Sequence, residues 1–322
     1  MNFIEVASGA GGLSTGLMKS GWTPLLLNDI DKVCCKTLRQ NHPGVPIFEG
    51  SMTGLDLTPY QGNVDLLCGG VPCQAFSLAG KRKGTDDPRG RLILDFIRLI
   101  KECQPKVFMI ENVVGLLRFE QGRFFTSLLQ QLTLDGTFTV NHKVLNAKDF
   151  GVPQRRERVI IVGVRNDIQK TFIFPTPLTS YVYLKDVLTN VPLSPGVQYS
   201  DKKKAMLVLI PPGGNWRSLS REKQIEFLGE AFIHNRPSAG VLKRLSMNDF
   251  CLTLTTAPDQ RITERCHPLE VRPLTVREYA RIQTYDDSYI FCGSVRQMYK
   301  QIGNSVPVAV AKQLGEALSK VV

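Results

Sequence analysis

The feature that most limits how this chain can fold is a rhythm repeated from Phe3 to about Pro175: a short apolar run, a turn, then a longer amphipathic segment. The apolar runs are Phe3–Ala7, Thr23–Leu27, Val64–Cys68, Val107–Ile110 and Val159–Val164. Runs too short for helices, separated by helix-length segments, predict an α/β fold with a mostly parallel sheet wrapped by helices. One connecting segment shows its face directly, since Leu92, Phe96, Leu99 and Ile100 recur at helical spacing before the turn at Gln104-Pro105. Beyond Pro175-Thr176-Pro177 the texture changes. Prolines at 192, 195, 211 and 212, the pair Gly213-Gly214 and the run Lys202-Lys203-Lys204 predict a second, smaller, loop-rich domain. Helical pattern returns at Thr275–Gln283 and at Val306–Leu318, the latter a closing helix.

Composition narrows the partners. Lys plus Arg number 40 against 29 Asp plus Glu, and a formal charge of +11 favours an anionic partner such as nucleic acid. No stretch is apolar and long enough to span a bilayer, and Met1-Asn2-Phe3-Ile4-Glu5 lacks the basic start of a signal peptide. A cytoplasmic chain without a membrane partner is expected. The eight cysteines form no paired C-x-x-C array, so reduced thiols and no metal site are expected as well.

The first apolar run ends in Ser8-Gly9-Ala10-Gly11-Gly12, where glycines let the backbone turn sharply and approach a ligand at the next helix N-terminus. Asp29 follows Gly9 by twenty residues and ends the second run, a position from which an acid accepts hydrogen bonds from ribose hydroxyls. Read alone, Asp29 is equally a helix N-cap before Ile30. A dinucleotide site wants a further glycine where this chain has Ser14, so a nucleoside cofactor without pyrophosphate fits better.

Three other segments carry chemistry. Gly69-Gly70-Val71-Pro72-Cys73-Gln74 puts a thiol after a strand, at the sheet edge where such folds bind ligands, although a lone cysteine is more often structural. Glu111-Asn112-Val113 brings a carboxyl to the same edge. Gln154-Arg155-Arg156-Glu157-Arg158 leads into the last run, and a strand period of two predicts that Gln154, Arg156 and Arg158 share one face. Taken singly, these last two read as a solvated loop acid and a charged strand end.

In this order, the segments resemble the cytosine-5 DNA methyltransferase family of the bacterial restriction-modification type. The likeness also takes in Asp87-Pro88-Arg89-Gly90, Arg272 to Glu278 and Gln301-Ile302-Gly303-Asn304-Ser305-Val306, leaving only about 178 to 268 without anchors. The resemblance implies a Rossmann-like methyltransferase domain at 1–177 and 296–322, and a target-recognition domain with its hinge at 178–295. It implies S-adenosyl-L-methionine as cofactor and duplex DNA as partner, with the target cytosine flipped out of the helix.

It further implies that the Cys73 thiolate adds to carbon 6 of the ring, so that carbon 5 becomes nucleophilic, after which a base removes the carbon 5 proton and the thiolate leaves. Glu111 would meet ring nitrogen 3, Arg158 the base carbonyl and the thiolate, with Asn112 and Arg156 completing the catalytic set. The cofactor pocket would comprise Ala7, Ser8, Gly9, Gly11, Gly12, Asp29, Ile30, Ser51, Met52, Pro72, Asn304 and Ser305. The loop Ala79-Gly80-Lys81-Arg82-Lys83-Gly84 would close over DNA, and Arg272 to Glu278 would support the recognition region. A monomer is the simplest case, since one catalytic chain per target cytosine suffices, and the sequence leaves open whether a companion restriction endonuclease exists.

Four positions depart from the family pattern: Ala7 replaces an aromatic, Asp29 a Glu, Ile30 an aromatic and Ser51 an Asp. All lie in the cofactor pocket, and weakened cofactor binding with intact chemistry is the expectation. An RNA methyltransferase of the same architecture would carry Cys-Phe-Thr after Val113, where this chain has Val114-Gly115-Leu116. A DNA-binding relic without catalysis has no physical reason to keep Cys73, Glu111 and Arg158 together. A nicotinamide dehydrogenase rests on the glycine turn alone.

Overall fold

The computed structural model describes residues 1–71, 91–230, 234 and 238–322. Pro72, Cys73, the loop at 79–84 and the segment Asp87 to Gly90 lie outside the described residues. The chain divides into two compact units, one of residues 1–146, 157–177 and 306–322, the other of 147–156 and 178–305. The division between 177 and 178 coincides with the expected one, whereas the excursion at 147–156 and residues 296–305, expected in the first unit, belong to the second.

The first unit is built on a seven-stranded sheet of β1 (Asn2–Val6), β2 (Thr23–Asp29), β3 (Ile47–Glu49), β4 (Leu66–Gly69), β5 (Val107–Val113), β6 (Phe138–Asn146) and β8 (Glu157–Arg165). Their order across the sheet is β3-β2-β1-β4-β5-β8-β6. The first five strands are parallel, and β8 runs antiparallel to both β5 and β6. The Rossmann-like fold class is therefore observed. Sequence reading passes over β3, which is only three residues long, and over β6, where only Phe138 and Leu145 are buried and Phe138–Asn146 carries no continuous apolar run. An edge strand with one wet face needs no such run.

Helices α1 (Gly12–Lys19), α2 (Lys32–Asn41), α3 (Arg91–Cys103) and α4 (Arg123–Leu132) make the crossovers, and Val308–Leu318 closes the unit. One core layer joins Phe96, Leu99 and Ile100 of α3 and Phe125, Leu128 and Leu132 of α4 to Ile4, Val6, Leu67, Phe108 and Ile110 of the sheet. Burying each such side chain contributes roughly 1.5–3 kcal/mol. On β1, Glu5 alternates with Ile4 and Val6 and so points the other way, to Ser14 of α1.

The closing helix packs on α1 at backbone range. A Cβ on Gly16 would stand 2.3 Å from the Ala311 Cβ, and one on Gly315 would stand 2.1 Å from Ser20 Oγ. Trp22 Nε1 donates to the Gly315 carbonyl at 3.0 Å. The chain crosses from β3 at one edge back to β4 beside β1, so the carboxyl ends of β1 and β4 flank a topological switch point, where open α/β sheets bind ligands.

The second unit has little regular structure. Its ladder pairs β7 (Gln154–Arg155) with β9 (Cys251–Leu252). A small core gathers Tyr199, Met206, Leu207, Trp216, Leu228, Val241, Leu242 and Cys266. The helices Val276–Ile282 and Val295–Asn304 both start with a capping box, at Thr275/Glu278 and Ser294/Gln297. Glu278 is buried and takes both Arg272 Nη atoms, at 2.7 and 2.8 Å, so the Arg272 to Glu278 segment is held by a forked ion pair.

The register pairs Phe108 with Gly163, and a Cβ on Gly163 would come within 2.1 Å of the Phe108 ring. Gly163→Val is therefore expected to lower unfolding free energy by about 3 kcal/mol in urea denaturation, near the upper end for overpacked cores.

Candidate active site

The glycine turn leaves β1 at Ala7, whose φ of 51° begins a left-handed stretch continued by Gly9 and Gly11 at 55° and 78°. Two carboxylate contacts set its shape. Asp29 Oδ2 accepts from Gly9 N at 2.7 Å and Oδ1 accepts from Asp31 N at 2.8 Å, so the end of β2 grips the turn. Ser8 N donates to Asn28 O at 2.8 Å, and Gly11 N closes on Ser8 O at 2.9 Å before Gly12 opens α1. The N-cap of α2 is Asp31, whose side chain accepts from Val33 N, so the capping alternative for Asp29 is set aside.

Ile30, beside Asp29, is 70% exposed, an unusual amount for a large apolar side chain on an otherwise ordered turn. Asn28 Nδ2 fastens the far wall by donating to the Phe48 and Gly50 carbonyls at 3.0 and 2.8 Å. Ser51 then caps a short turn of helix at Met52–Gly54. Its hydroxyl lies 3.0 Å from Thr53 Oγ1, which donates to Asp95 at 2.8 Å. Met52 is buried and its carbonyl accepts from Arg98 Nη2.

Sequence reading missed Glu5. It is 1% exposed, hydrogen-bonded to Ser14, and its Oε2 has no hydrogen-bond partner. Burial, opposed by the Ser14 bonds and reinforced by Asp29, pushes its carboxyl up to about 8. An acid inside an otherwise apolar strand, four residues before a glycine turn, was the available signal.

At the carboxyl end of β5 the antiparallel register sets Val113 opposite Arg158 and Glu111 opposite Ile160. Arg158 Nε lies 3.0 Å from Glu111 Oε1, with side-chain exposures of only 19% and 12%. Arg158 Nη1 also donates to the Glu157 carbonyl at 2.7 Å, which fixes the guanidinium. Between them, Asn112 turns inward: its Nδ2 donates to Val71 O at 3.1 Å and its Oδ1 accepts from Val113 N. Among the described residues, a Cβ on Gly70 would meet only Glu111 Oε2, at 3.7 Å. Glu111, Asn112 and Arg158 thus gather where the chain passes through Gly70 and Val71 toward residues 72 and 73.

Gln154, Arg156 and Arg158 do not share one face. The strand is interrupted at Arg156, with β7 pairing in the second unit and β8 in the first, so a single two-residue period never spans the segment. Arg156 is 2% exposed. It donates from Nη1 to Gly303 O and from Nη2 to Ser305 O, both at 3.1 Å. Gln154 binds Gln283, and Gln283 Nε2 reaches Ile302 O and Ser305 O at 2.8 and 3.1 Å. This buried network, rather than a ligand, occupies Arg156. The turn it holds leaves the Asn304 side chain exposed and directs Ser305 Oγ to Ile302 O at 2.8 Å. A Cβ on Gly303 would stand 2.2 Å from Thr255 O, so the turn approaches at backbone range.

The C-5 cytosine-specific DNA methylase family matches residues 1–320. The chain is 45% identical to the Type II methyltransferase M.Eco47II of Escherichia coli, over 98% of this chain and 78% of that one. It is 40% identical to M.Sau96I of Staphylococcus aureus, over 98% and 75%, and 34% identical to M.MthTI of Methanothermobacter thermautotrophicus, over 99% and 97%. Among solved structures, a candidate DNA modification methyltransferase encoded within an E. coli prophage superposes with a TM-score of 0.75 at 25% identity, covering 100% of this chain and 99% of that one. An Entamoeba histolytica methyltransferase, at 18% identity and a TM-score of 0.71 over 99% and 98%, shares the fold. The chain therefore belongs to the C-5 cytosine-specific DNA methylase family and is a methyltransferase of the restriction-modification type. Among the described residues, no cluster of His, Cys, Asp and Glu could hold a metal ion, and no helix is long and apolar enough to cross a membrane.

Because the Glu5 carboxyl is raised, the folded chain holds a proton there that the unfolded chain gives up above pH 4.5. Stability from this group is full below pH 4.5 and declines as pH rises toward about 8, on the order of a few kcal/mol. Glu5→Gln cannot titrate, so its unfolding free energy relative to wild type is expected to climb between pH 5 and 8.5 in denaturant titrations; a difference that stays flat would contradict the assignment.

Proposed function

We propose that the chain transfers a methyl group from S-adenosyl-L-methionine to carbon 5 of a flipped-out cytosine in a short duplex DNA site, through a covalent Cys73 adduct. The observation that carries this reading is the Glu111–Arg158 pair, with Glu111 Oε2 3.7 Å from where a Cβ on Gly70 would stand, three residues before Cys73 in the chain. Carbon 5 of cytosine is a poor nucleophile, and addition of a thiolate at carbon 6 makes it a good one. Glu111 passes a proton to ring nitrogen 3, which neutralises the negative charge that addition develops there. Arg158, oriented by Glu111 and Glu157 O, stabilises the thiolate and the base carbonyl. Asn112 positions the chain at Val71 ahead of Pro72 and Cys73. Arg156 is a positioning residue for the turn that carries Asn304 and Ser305.

The residues at the first turn fit the cofactor. Among the described residues, a Cβ on Gly9 would find nothing within 4 Å, and the exposed Ile30 beside Asp29 offers an apolar surface. When bound, S-adenosyl-L-methionine supplies an electrophilic methyl group. Ala7, Ser8, Gly9, Gly11 and Gly12 would cradle it, Asp29 would take the ribose, and Ile30, Ser51, Met52, Pro72, Asn304 and Ser305 would complete the pocket. The partner is duplex DNA, and one chain serves one cytosine as a monomer in the cytoplasm.

DNA copied with 5-fluorodeoxycytidine blocks the final proton loss, so wild type with cofactor is expected to form a denaturation-stable complex, and Cys73→Ala none. Equal trapping by both, or trapping by neither, would overturn the covalent reading. Tritium transfer to duplex DNA but not to tRNA is expected in parallel.

Cofactor affinity is expected to be modest. Ala7 provides no ring for the adenine, the Ser51 hydroxyl is engaged with Thr53, and both Asp29 oxygens already accept backbone bonds. Each loss costs on the order of 1 kcal/mol, together about ten-fold or more in the dissociation constant. Calorimetric titration of S-adenosyl-L-methionine checks this, and low-micromolar or tighter binding would contradict it.

A further inference from the structure

The second unit contains a cavity of about 330 Å³ that the catalytic reading does not use. Its floor is Val241 and the carboxyl of Glu264, both buried to within 1%. Glu264 is fixed twice: Leu242 N donates to Oε2, and Lys203 Nζ lies 2.5 Å from Oε1. Lys203 also donates to the Asp259 carbonyl at 3.2 Å, so a cation and a carboxylate stand side by side in a fixed orientation. One wall is Phe227, half-buried, with Lys202 Nζ 5.8 Å from its ring centroid. Lys202 and Arg261 are exposed at the rim, where Arg261 Nη2 reaches the Leu228 carbonyl at 3.5 Å.

An aromatic wall, a lysine donor held in place by Glu264 at the floor, and a cationic rim match the three parts of a nucleotide: a flat base, an acceptor on its polar edge and its phosphate. The volume is at the small end for ligand sites, enough for one nucleotide and too little for a base pair. We propose that this cavity binds a single unpaired nucleotide, with its base against Phe227, an acceptor of its polar edge at Lys203, which Glu264 holds in place, and its phosphate at Lys202 and Arg261. The nucleotide comes from a DNA strand or from a free mononucleotide. The proposal is independent of the methyl-transfer chemistry, and its readout involves no turnover.

The test uses the full chain and a duplex carrying one bulged 5-iododeoxyuridine, which crosslinks under light to an aromatic ring stacked on it. The expected result is a crosslink at Phe227 by peptide mapping, absent for the same nucleotide in a fully paired duplex and lost in Phe227→Leu. Lys202→Ala with Arg261→Ala is expected to raise the dissociation constant of the bulged duplex about ten-fold while changing that of the paired duplex two- to three-fold. Deoxyuridine monophosphate at millimolar concentration separates the sources: loss of the crosslink shows that a free nucleotide fills the cavity, and persistence shows that only the strand does. A crosslink confined to other residues, or equal at Phe227 for bulged and paired duplexes, or an unchanged affinity ratio in the double variant, would overturn the proposal. The ratio keeps the test meaningful if Phe227→Leu fails to fold.

Discussion

The site depends on one reversal in the sheet. Five strands run parallel and deliver their carboxyl ends to one edge, but β8 runs the other way beside β5. Its first residues therefore meet the last residues of β5, and the register puts Arg158 across from Val113, within reach of Glu111. A parallel β8 would have carried Arg158 to the opposite edge. The ion pair is partly buried, where charges interact more strongly than on an open surface, and neither partner is so enclosed that desolvation cancels the gain.

The same edge carries the other half of the chemistry. Asp29 grips Gly9 across β1 and β2, Asn28 grips Phe48 and Gly50 across β2 and β3, and Asn112 grips Val71 across β4 and β5. Each is a polar side chain at a strand end that satisfies backbone groups of its neighbour, so the loops at this edge are set by the sheet rather than by their own preferences. Buried polar groups must find partners, and here the partners are the turns themselves. Glu5 is the exception: one of its oxygens is satisfied by Ser14 and the other is not, and the site retains that strain.

Much of this was legible beforehand. Glu111-Asn112-Val113 lay at the end of an apolar run, and a run that ends in a carboxyl places that carboxyl at a sheet edge. The glycine turn and Asp29 were recognisable from their spacing, and the capping alternative for Asp29 yielded to Asp31 only when the helix start was seen. Arg156 shows the opposite case. A period of two presumes an unbroken strand, and nothing in Gln154 to Arg158 announces that the chain changes unit between Arg156 and Glu157. The break gave neighbouring arginines different work: Arg158 pairs with a carboxylate, and Arg156 binds the Gly303 and Ser305 carbonyls.

The sequence alone determined the class of sheet, its glycine turn and the candidate groups at its edge, because periodicity, turn chemistry and side-chain reactivity are local properties of a few adjacent residues. Only the tertiary structure decided that β8 reverses, that β6 completes the sheet, that Arg156 is enclosed in a backbone network and that Glu5 keeps an unpartnered oxygen. Strand direction, burial and hydrogen-bond satisfaction depend on residues far apart in the chain, such as Arg156 and Ser305 or Glu111 and Arg158, and no local pattern encodes them.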